Sequence, residues 1–239
     1  MKRIQLTVLA LVAGFCMFGL SSCVFNCIHG SGHQVTENRS KGSFSKISIS
    51  GGYKLIIKQD SSFGIKIVAD DNLLKYIKTN VVGDQLRIHN KKNFCNNGQI
   101  VVTVGVKNLD EIEASGAVEV ESDGKLVTKD FGIHLSGATK VTLDLNAADV
   151  TTSGSGATEL NLKGQATSHS IEISGVGHVY ALDFVVGKCE IQSSGAGHCE
   201  VNVLNELHVS SSGASEVKYR GHPSISNDKS GASSIEQVN

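Results

Sequence analysis

The residues of this 239-residue chain best suited to chemistry are two histidines and two glutamates that recur at intervals of 18 to 20 residues. If the chain forms β coils of that length, these residues share one outward position on neighbouring coils, about 5 Å apart. Zinc accepts imidazole and carboxylate ligands, so the set is a candidate metal site. The mixed charge of the same column also fits a solvated ladder of weak ion pairs. A flat sheet face, moreover, is a poor arrangement for the tetrahedral ligand geometry that zinc requires. The four residues are Glu159, His178, His198 and Glu216.

Motifs of other chemistries are incomplete or missing in this sequence. The triplet Asp130-Phe131-Gly132 has no accompanying kinase loops, and each Gly-x-Gly start lacks the third glycine of a dinucleotide-binding loop. The sequence also lacks the nucleophile-elbow, zinc-protease and calcium-nonapeptide patterns. We therefore predict no catalytic residue and no cofactor.

Charge and composition argue against a nucleic-acid partner. The formal net charge is −1, and beyond residue 22 the chain has 20 basic and 23 acidic residues. Arginine, which grips phosphate with paired hydrogen bonds, occurs there only as Arg39, Arg87 and Arg220. The hydrophobic content of 40% is enough for a buried core and excludes disorder throughout.

The N-terminus has the features of a lipoprotein signal peptide. Lys2 and Arg3 precede an apolar run of about 15 residues, which is too short to span a bilayer with margin. The run ends at Leu20-Ser21-Ser22-Cys23, which resembles the bacterial lipobox, whose cysteine is lipidated before cleavage. We predict a signal peptide over residues 1–22, a membrane anchor on Cys23 and a tether over 23–41. Ordinary secretory cleavage before a cysteine is the alternative.

Four cysteines remain once the signal is removed and Cys23 carries lipid, and none of them forms a Cys-x-x-Cys pair. Cys189 and Cys199 fall where the repeat described below requires apolar residues, which favours buried thiols over a disulfide. A disulfide between Cys27 and Cys95 is compatible with an oxidising compartment. The sequence leaves both pairings open.

A Ser-Gly pair followed by a small residue recurs seven times from Ser115 onwards, at intervals of 18 to 21 residues. Apolar and polar residues alternate on both sides of each pair, as at Ile112 before it and Val120 after it. A period of two excludes helical repeats and predicts an all-β fold, a single-stranded parallel β-helix with 18–21 residues per coil. Stacked corners require glycine, because φ is positive and neighbouring chains approach closely there. The predicted ladder of turn glycines is Gly116, Gly137, Gly156, Gly175, Gly195, Gly213 and Gly231.

The β-helix domain is predicted over residues 42–239, with atypical coils over 42–110 and Ser-Gly coils over 111–239. Alternating apolar residues indicate strands in the atypical part as well, for example over 100–106. Residues 71–78 are predicted to form one or two helical turns with Asp71 as the N-cap. Asn227 and Gln237 replace apolar residues of the columns, as expected for a terminal coil that faces water.

Several short segments, together with the serial Ser-Gly-Ala corners, carry a resemblance to a known family. They are Phe44-Ser45-Lys46-Ile47, Asp71-Asn72-Leu73-Leu74 with Ile77-Lys78-Thr79, Leu86-Arg87-Ile88, and the stretch from Leu109 to Val118. Over about residues 40–239 the chain resembles the autotransporter-adhesin head, or GIN, domain of bacterial lipoproteins. The resemblance implies a right-handed parallel β-helix on the envelope of Bacteroidetes-type bacteria, and it brings no catalytic residues. Val176 departs from the alanine of the family's corners.

These observations predict a non-enzymatic lipoprotein of the cell envelope, anchored to the outer membrane, that presents a β-helical face to a glycan or an envelope protein. A homo-oligomer is compatible with them, and the periplasmic and surface leaflets both remain open. The alternative is a polysaccharide lyase or hydrolase, because β-helices host such enzymes. Such an enzyme needs clustered acids, whereas the outward residues Glu121, Glu200 and Glu236 are separated by other residue types.

Overall fold

The computed structural model describes residues 27–95 and 98–239, and the regular structure in these ranges is almost entirely β-strand. The predicted signal peptide and Cys23 lie outside the described residues. The strands of the first half are β1 Cys27–His29, β2 Gln34–Ser40, β3 Lys46–Gln59, β4 Gly64–Asp70, β5 Ile77–Val82, β6 Gln85–Asn90, β7 Asn93–Cys95 and β8 Val101–Val106. Those of the second half are β9 Glu111–Val127, β10 Asp130–Asn146, β11 Asp149–Gly213, β12 Glu216–Arg220, β13 Ser224–Gly231 and β14 Ser234–Gln237.

The repeat units lie side by side in parallel. Strand β10 pairs with β11 without interruption from Asp130–Asp149 to Asn146–Gln165, so each residue meets its equivalent in the next unit. The pairing of β10 with β9 shifts by two residues between Thr142 and Asp144. This irregularity takes up the longer spacing of the first two Ser-Gly corners, 21 residues against 19 for the next pair.

Strand β11 is a continuous run of 65 residues that bends at its Ser-Gly corners. Its later parts pair in parallel with β12 and β13, and β12 pairs in parallel with β14. Parallel pairing therefore extends to the C-terminal end of the chain.

The N-terminal strands make the large sheet mixed rather than purely parallel. Strand β3 is parallel to β6, β8 and β9. Strand β4 is antiparallel to both β2 and β8, and β5 and β6 form an antiparallel hairpin. The result is an all-β fold with one large mixed sheet that does not close on itself.

The core consists of aliphatic columns that run across the paired strands. Side chains at equivalent positions, such as Ile112 with Ile133 and Val120 with Val141, are buried. Thr152 interrupts the first column, and its Oγ1 lies 2.9 Å from Nε2 of His169, which is also buried. Phe184 packs edge-on against the same imidazole with ring centroids 5.8 Å apart. Burial without a charged partner lowers the pKa of His169 to about 3, so the ring is a neutral part of the core.

Two segments differ from the sequence-based expectation. Strands β1 and β2 lie inside the segment expected to be a tether, and a disulfide between Cys27 and Cys95 joins β1 to its parallel partner β7. The helical turns expected over 71–78 reduce to a 3₁₀ helix, Leu74–Tyr76, because β5 begins at Ile77. Asp71 does not cap this helix and instead accepts a hydrogen bond from the Ser31 hydroxyl.

Cys189 and Cys199 are both buried and carry free thiols. Burial raises the pKa of the Cys199 thiol to about 12 and raises that of Cys189 as well. Helices capable of spanning a bilayer are not found in the part of the chain that the structure describes.

Candidate functional site

The predicted ladder glycines occupy one stacked corner of the fold. All seven have positive φ, between 85° and 132°. A methyl group at Gly137 would sit 2.8 Å from the carbonyl oxygen of Gly116, and one at Gly175 would sit 2.8 Å from that of Gly156. The corners therefore lie directly over one another, and the residues on either side of them form columns on the surface.

A groove of about 660 Å³ runs along the stack on the C-terminal side of these corners. One side contains the small, exposed residues that follow the glycines, Ala117, Ala138, Ala157 and Val176. The residues from Gly98 to Ile100 and the buried ring of Tyr53 also line it. The lining further includes Thr139, whose buried hydroxyl has no hydrogen-bond partner among the described residues. The groove is a surface depression that crosses several repeat units.

The charged column beside the groove is held in place by ion pairs. Lys54 Nζ lies 2.8 Å from Glu121 Oε1 and 3.6 Å from Glu119 Oε1, and Lys140 Nζ lies 3.0 Å from Glu159 Oε1. The Lys54 hydrogen bond lowers the pKa of Glu121. Hydrogen bonds from Asn161 and then Lys140 lower the pKa of Glu159. Glu121 and Glu159 are therefore ionised at neutral pH and held in place by these contacts.

Three rings cluster on the next repeat units, where the groove meets His178. The His178 and Tyr180 rings are stacked with centroids 6.2 Å apart and an interplanar angle of 5°. The His198 ring lies 5.9 Å from Tyr180 and 6.3 Å from His178, tilted to both. Tyr180 remains 38% exposed and lines a second depression of about 400 Å³ that contains Glu200 and Arg220. His178 lines the groove and Tyr180 lines this second depression, so the two neighbouring rings lie between them.

The four candidate metal ligands do not assemble into one ligand set. The structure does bring two of them together, since His198 Nδ1 lies 2.8 Å from Glu216, but Nε2 of His198 lies 3.0 Å from Glu200, which is not one of the four. Glu159 is instead paired with Lys140. Within residues 27–95 and 98–239, no group of three or more His, Cys, Asp or Glu side chains is placed to hold a metal ion. The arrangement matches the solvated ladder of ion pairs better than a zinc site.

Two parts of this surface are not predicted from the sequence. The segment from Gly98 to Ile100 belongs to no repeat unit, and nothing in its sequence indicates that it borders a groove. Tyr180 did carry a signal, because its equivalents in the other Ser-Gly units are Glu121, Thr142, Asn161, Glu200, Lys218 and Glu236. An aromatic residue in an otherwise polar outward column is typical of a contact surface.

These features define an all-β protein with an extended, grooved surface on stacked parallel strands. The chain belongs to the family described as "Putative auto-transporter adhesin, head GIN domain", whose sequence pattern matches residues 43–223. This match confirms the family resemblance drawn from the sequence. No curated protein matches the chain.

Several solved structures of bacterial proteins share the fold. A putative adhesin from Bacteroides fragilis is 22% identical with a TM-score of 0.84, and the match covers 88% of this chain and 100% of that one. A putative adhesin from Parabacteroides merdae is 19% identical with a TM-score of 0.66, covering 89% and 99%. A protein from Parabacteroides distasonis described as a "putative lipid binding protein" is 19% identical with a TM-score of 0.67, covering 90% and 100%. At these identities the likeness establishes the fold alone.

Proposed function

We propose that this protein is a non-enzymatic, lipid-anchored module of the bacterial cell envelope that binds a glycan along the outer face of a right-handed parallel β-helix. The observation that carries the proposal is the groove of about 660 Å³ whose lining includes the exposed His178, together with the exposed ring of Tyr180 that lies beside His178. A sugar presents both apolar faces and hydroxyl groups, and such a surface offers rings for the former and fixed charges for the latter.

The β-helix is supported by the way the repeats pair. Residues at equivalent repeat positions meet across parallel strands, and from Gly137 onwards each ladder glycine lies against the preceding one. Units of 18–21 residues stacked about 4.8 Å apart would bury the aliphatic columns and leave the polar columns outside. The handedness comes from the family resemblance.

The envelope location is supported by the N-terminal sequence and by the oxidised cysteines. The lipobox-like Leu20-Ser21-Ser22-Cys23 supplies an acylation site, and the Cys27–Cys95 disulfide fits an oxidising compartment. The family description and the names of two of the similar structures refer to adhesins, and such proteins work at the cell surface or envelope.

Binding is favoured over glycan cleavage because hydrogen bonds lower the pKa of three carboxyl groups of this face, Glu121, Glu159 and Glu216. A glycosidase needs one carboxyl group with a raised pKa to protonate the leaving group. Hydrogen bonds lower the pKa of Glu121 and Glu159, and those from Lys218 and then His198 lower the pKa of Glu216. Carboxylates of this kind stay ionised and serve as hydrogen-bond acceptors.

The test is a glycan array probed with the mature chain and two variants. Tyr180→Ala should weaken binding of any positive glycan about tenfold, as expected for the loss of one stacked ring. The control Gln192→Ala changes an exposed residue on the other side of the corner and should leave affinity unchanged. Release of unsaturated or reducing sugar would overturn the proposal in favour of a lyase or hydrolase. Binding to lipid vesicles through Tyr180 would instead favour a lipid ligand, the class of ligand for which the similar protein from Parabacteroides distasonis is named.

A further inference from the structure

The hairpin of β5 and β6 and its flanking turns carry an unusual concentration of positive charge. Residues 72–95 contain five lysines and arginines and a single acid, Asp84, whereas the rest of the chain from residue 27 has 15 basic and 22 acidic residues. The five cations, here called the basic patch, are Lys75, Lys78, Arg87, Lys91 and Lys92.

Contacts within this region bring the cations together. Lys78 Nζ donates a hydrogen bond to the backbone carbonyl of Lys75 at 3.0 Å, and the amide of Lys91 donates to the carbonyl of Tyr76 at 2.9 Å. Lys78 of β5 lies opposite His89 of β6. His89 and Arg87 are two residues apart in β6 and therefore lie on the same face of that strand. All of the patch is exposed except Lys78, which is half-buried.

None of the five cations has a carboxylate within 4 Å among the described residues, in contrast to lysines elsewhere in the fold. Lys54, Lys140 and Lys188, for example, each lie 3.0 Å or less from a glutamate oxygen. The two acids nearest to the patch in sequence are used by other groups. Asp84, at the hairpin tip, lies 3.6 Å from Lys46, and Asp71 is bound by the Ser31 hydroxyl and lies 3.7 Å from His33. The positive charge is thus not neutralised by the described part of the protein.

The patch lies beside the point where the proposed membrane anchor enters the fold. Lys92 immediately precedes Asn93, which is the strand partner of Cys27, and the disulfide fixes Cys27 to Cys95 with their Cα atoms 5.7 Å apart. Cys23 is four residues before Cys27, so a lipid on it is tied within about 14 Å of this disulfide. A bilayer that holds the lipid must therefore lie close to the basic patch.

We propose that the basic patch docks on the anionic phospholipid surface of the membrane that carries the lipid anchor. This inference rests on the lipid anchoring in the proposed function, and it adds the face of the protein that the membrane contacts. The attraction of lysines and arginines to anionic headgroups acts over about one Debye length, roughly 10 Å at 0.1 M salt. Docking would hold the β5–β6 hairpin against the bilayer and fix how the glycan-binding face is presented.

The experiment uses the full lipidated protein reconstituted into vesicles of phosphatidylcholine alone or with added phosphatidylglycerol. Lysine acetylation is then mapped by mass spectrometry. Contact with the anionic surface should lower labelling of Lys75, Lys91 and Lys92 at least about fivefold. The attraction of one lysine to such a surface raises the membrane-binding constant by about that factor. The exposed Lys163 and Lys188 lie outside the patch and should label equally in both vesicles. Salt at 1 M, which shortens the Debye length to about 3 Å, should restore labelling.

The double variant Lys91→Glu with Lys92→Glu should abolish the protection of Lys75. Equal labelling of the patch in both kinds of vesicle would overturn the proposal, as would salt-resistant protection. Failure of the anchor itself has a separate signature, because a chain without lipid would not float with vesicles of phosphatidylcholine alone. A chain that floats but shows no selective protection would support the lipid anchor and contradict membrane docking by the basic patch. Tighter binding of the patch to a soluble anionic polysaccharide than to anionic vesicles would also contradict the assignment.

Discussion

Gly156 lies so close to Gly137 that a side chain cannot be inserted between the two paired repeat units: a methyl group at Gly156 would sit 2.7 Å from the carbonyl oxygen of Gly137. The φ angle of Gly156 is 94°, a region that residues with a side chain rarely adopt. Two separate constraints, conformation and close approach, therefore require glycine at this corner.

Gly156→Ala should lower the free energy of unfolding by about 2 kcal/mol or more, because strain at positive φ adds to the overlap with the backbone of Gly137. Gly124→Ala is the matched control, since its φ is 88° but no atom lies within 4 Å of the added methyl group. The control should lower the free energy of unfolding only by the strain of alanine at positive φ, about 1 kcal/mol. Urea unfolding of both variants measures the difference, and equal losses would contradict close stacking at the corner.

The buried His169 predicts that stability falls in mildly acidic solution. The pKa of His169 is about 3 in the folded protein and 6.5 in the unfolded chain. Between these two values the unfolded chain binds a proton at His169 and the folded protein does not. The stabilisation is complete above pH 6.5 and is lost as the pH falls towards 3, at up to about 1.4 kcal/mol per pH unit.

Unfolding measured between pH 6.5 and 4.5 tests this prediction. His169→Gln should flatten the pH dependence in that range, because glutamine does not titrate. His222 is exposed, so the control His222→Gln should leave the slope unchanged. A wild-type slope that survives in the His169 variant would show that other groups cause it.

The Cys27–Cys95 disulfide predicts that reduction destabilises the N-terminal end of the fold. Its cysteines are 68 residues apart in sequence, and it joins two strands that pair with each other over only three residues. Replacing both cysteines by serine should cost about 2 to 4 kcal/mol, mainly by freeing the unfolded chain. Hydrogen exchange should rise in β1 and β7 and remain unchanged in β10, and uniform exchange along the chain would contradict the local role.

The second half of the chain could be predicted from its sequence to a useful degree, because each unit repeats the same physical requirement. Glycine at the corner, aliphatic residues inward and polar residues outward all recur at the same offsets, and the structure places Gly137, Val141 and Lys140 accordingly. Thr152 is an exception inside the stack, because its hydroxyl lies within hydrogen-bond distance of His169, 17 residues away.

The first half was less predictable because tertiary contacts specify it. Strand β2 has polar residues on both faces, and Arg39 is held by hydrogen bonds to the backbone of Ile77 and to the hydroxyl of Thr79. No local alternation marks such a strand. The groove could not be predicted either, because it arises where the segment near Gln99 lies beside a repeat column that is distant in sequence.

The central claim is that the repeat units stack as coils and thereby create the binding face, and distances between nitroxide labels test it most directly. Labels would replace Glu119 together with His178, three units apart, or Glu119 together with Glu216, five units apart. Cys189 and Cys199 are buried and should not react with the label. Stacking predicts separations of about 14 and 24 Å, which grow by about 4.8 Å for each unit. Separations that do not increase with the number of intervening units would contradict the stacked arrangement.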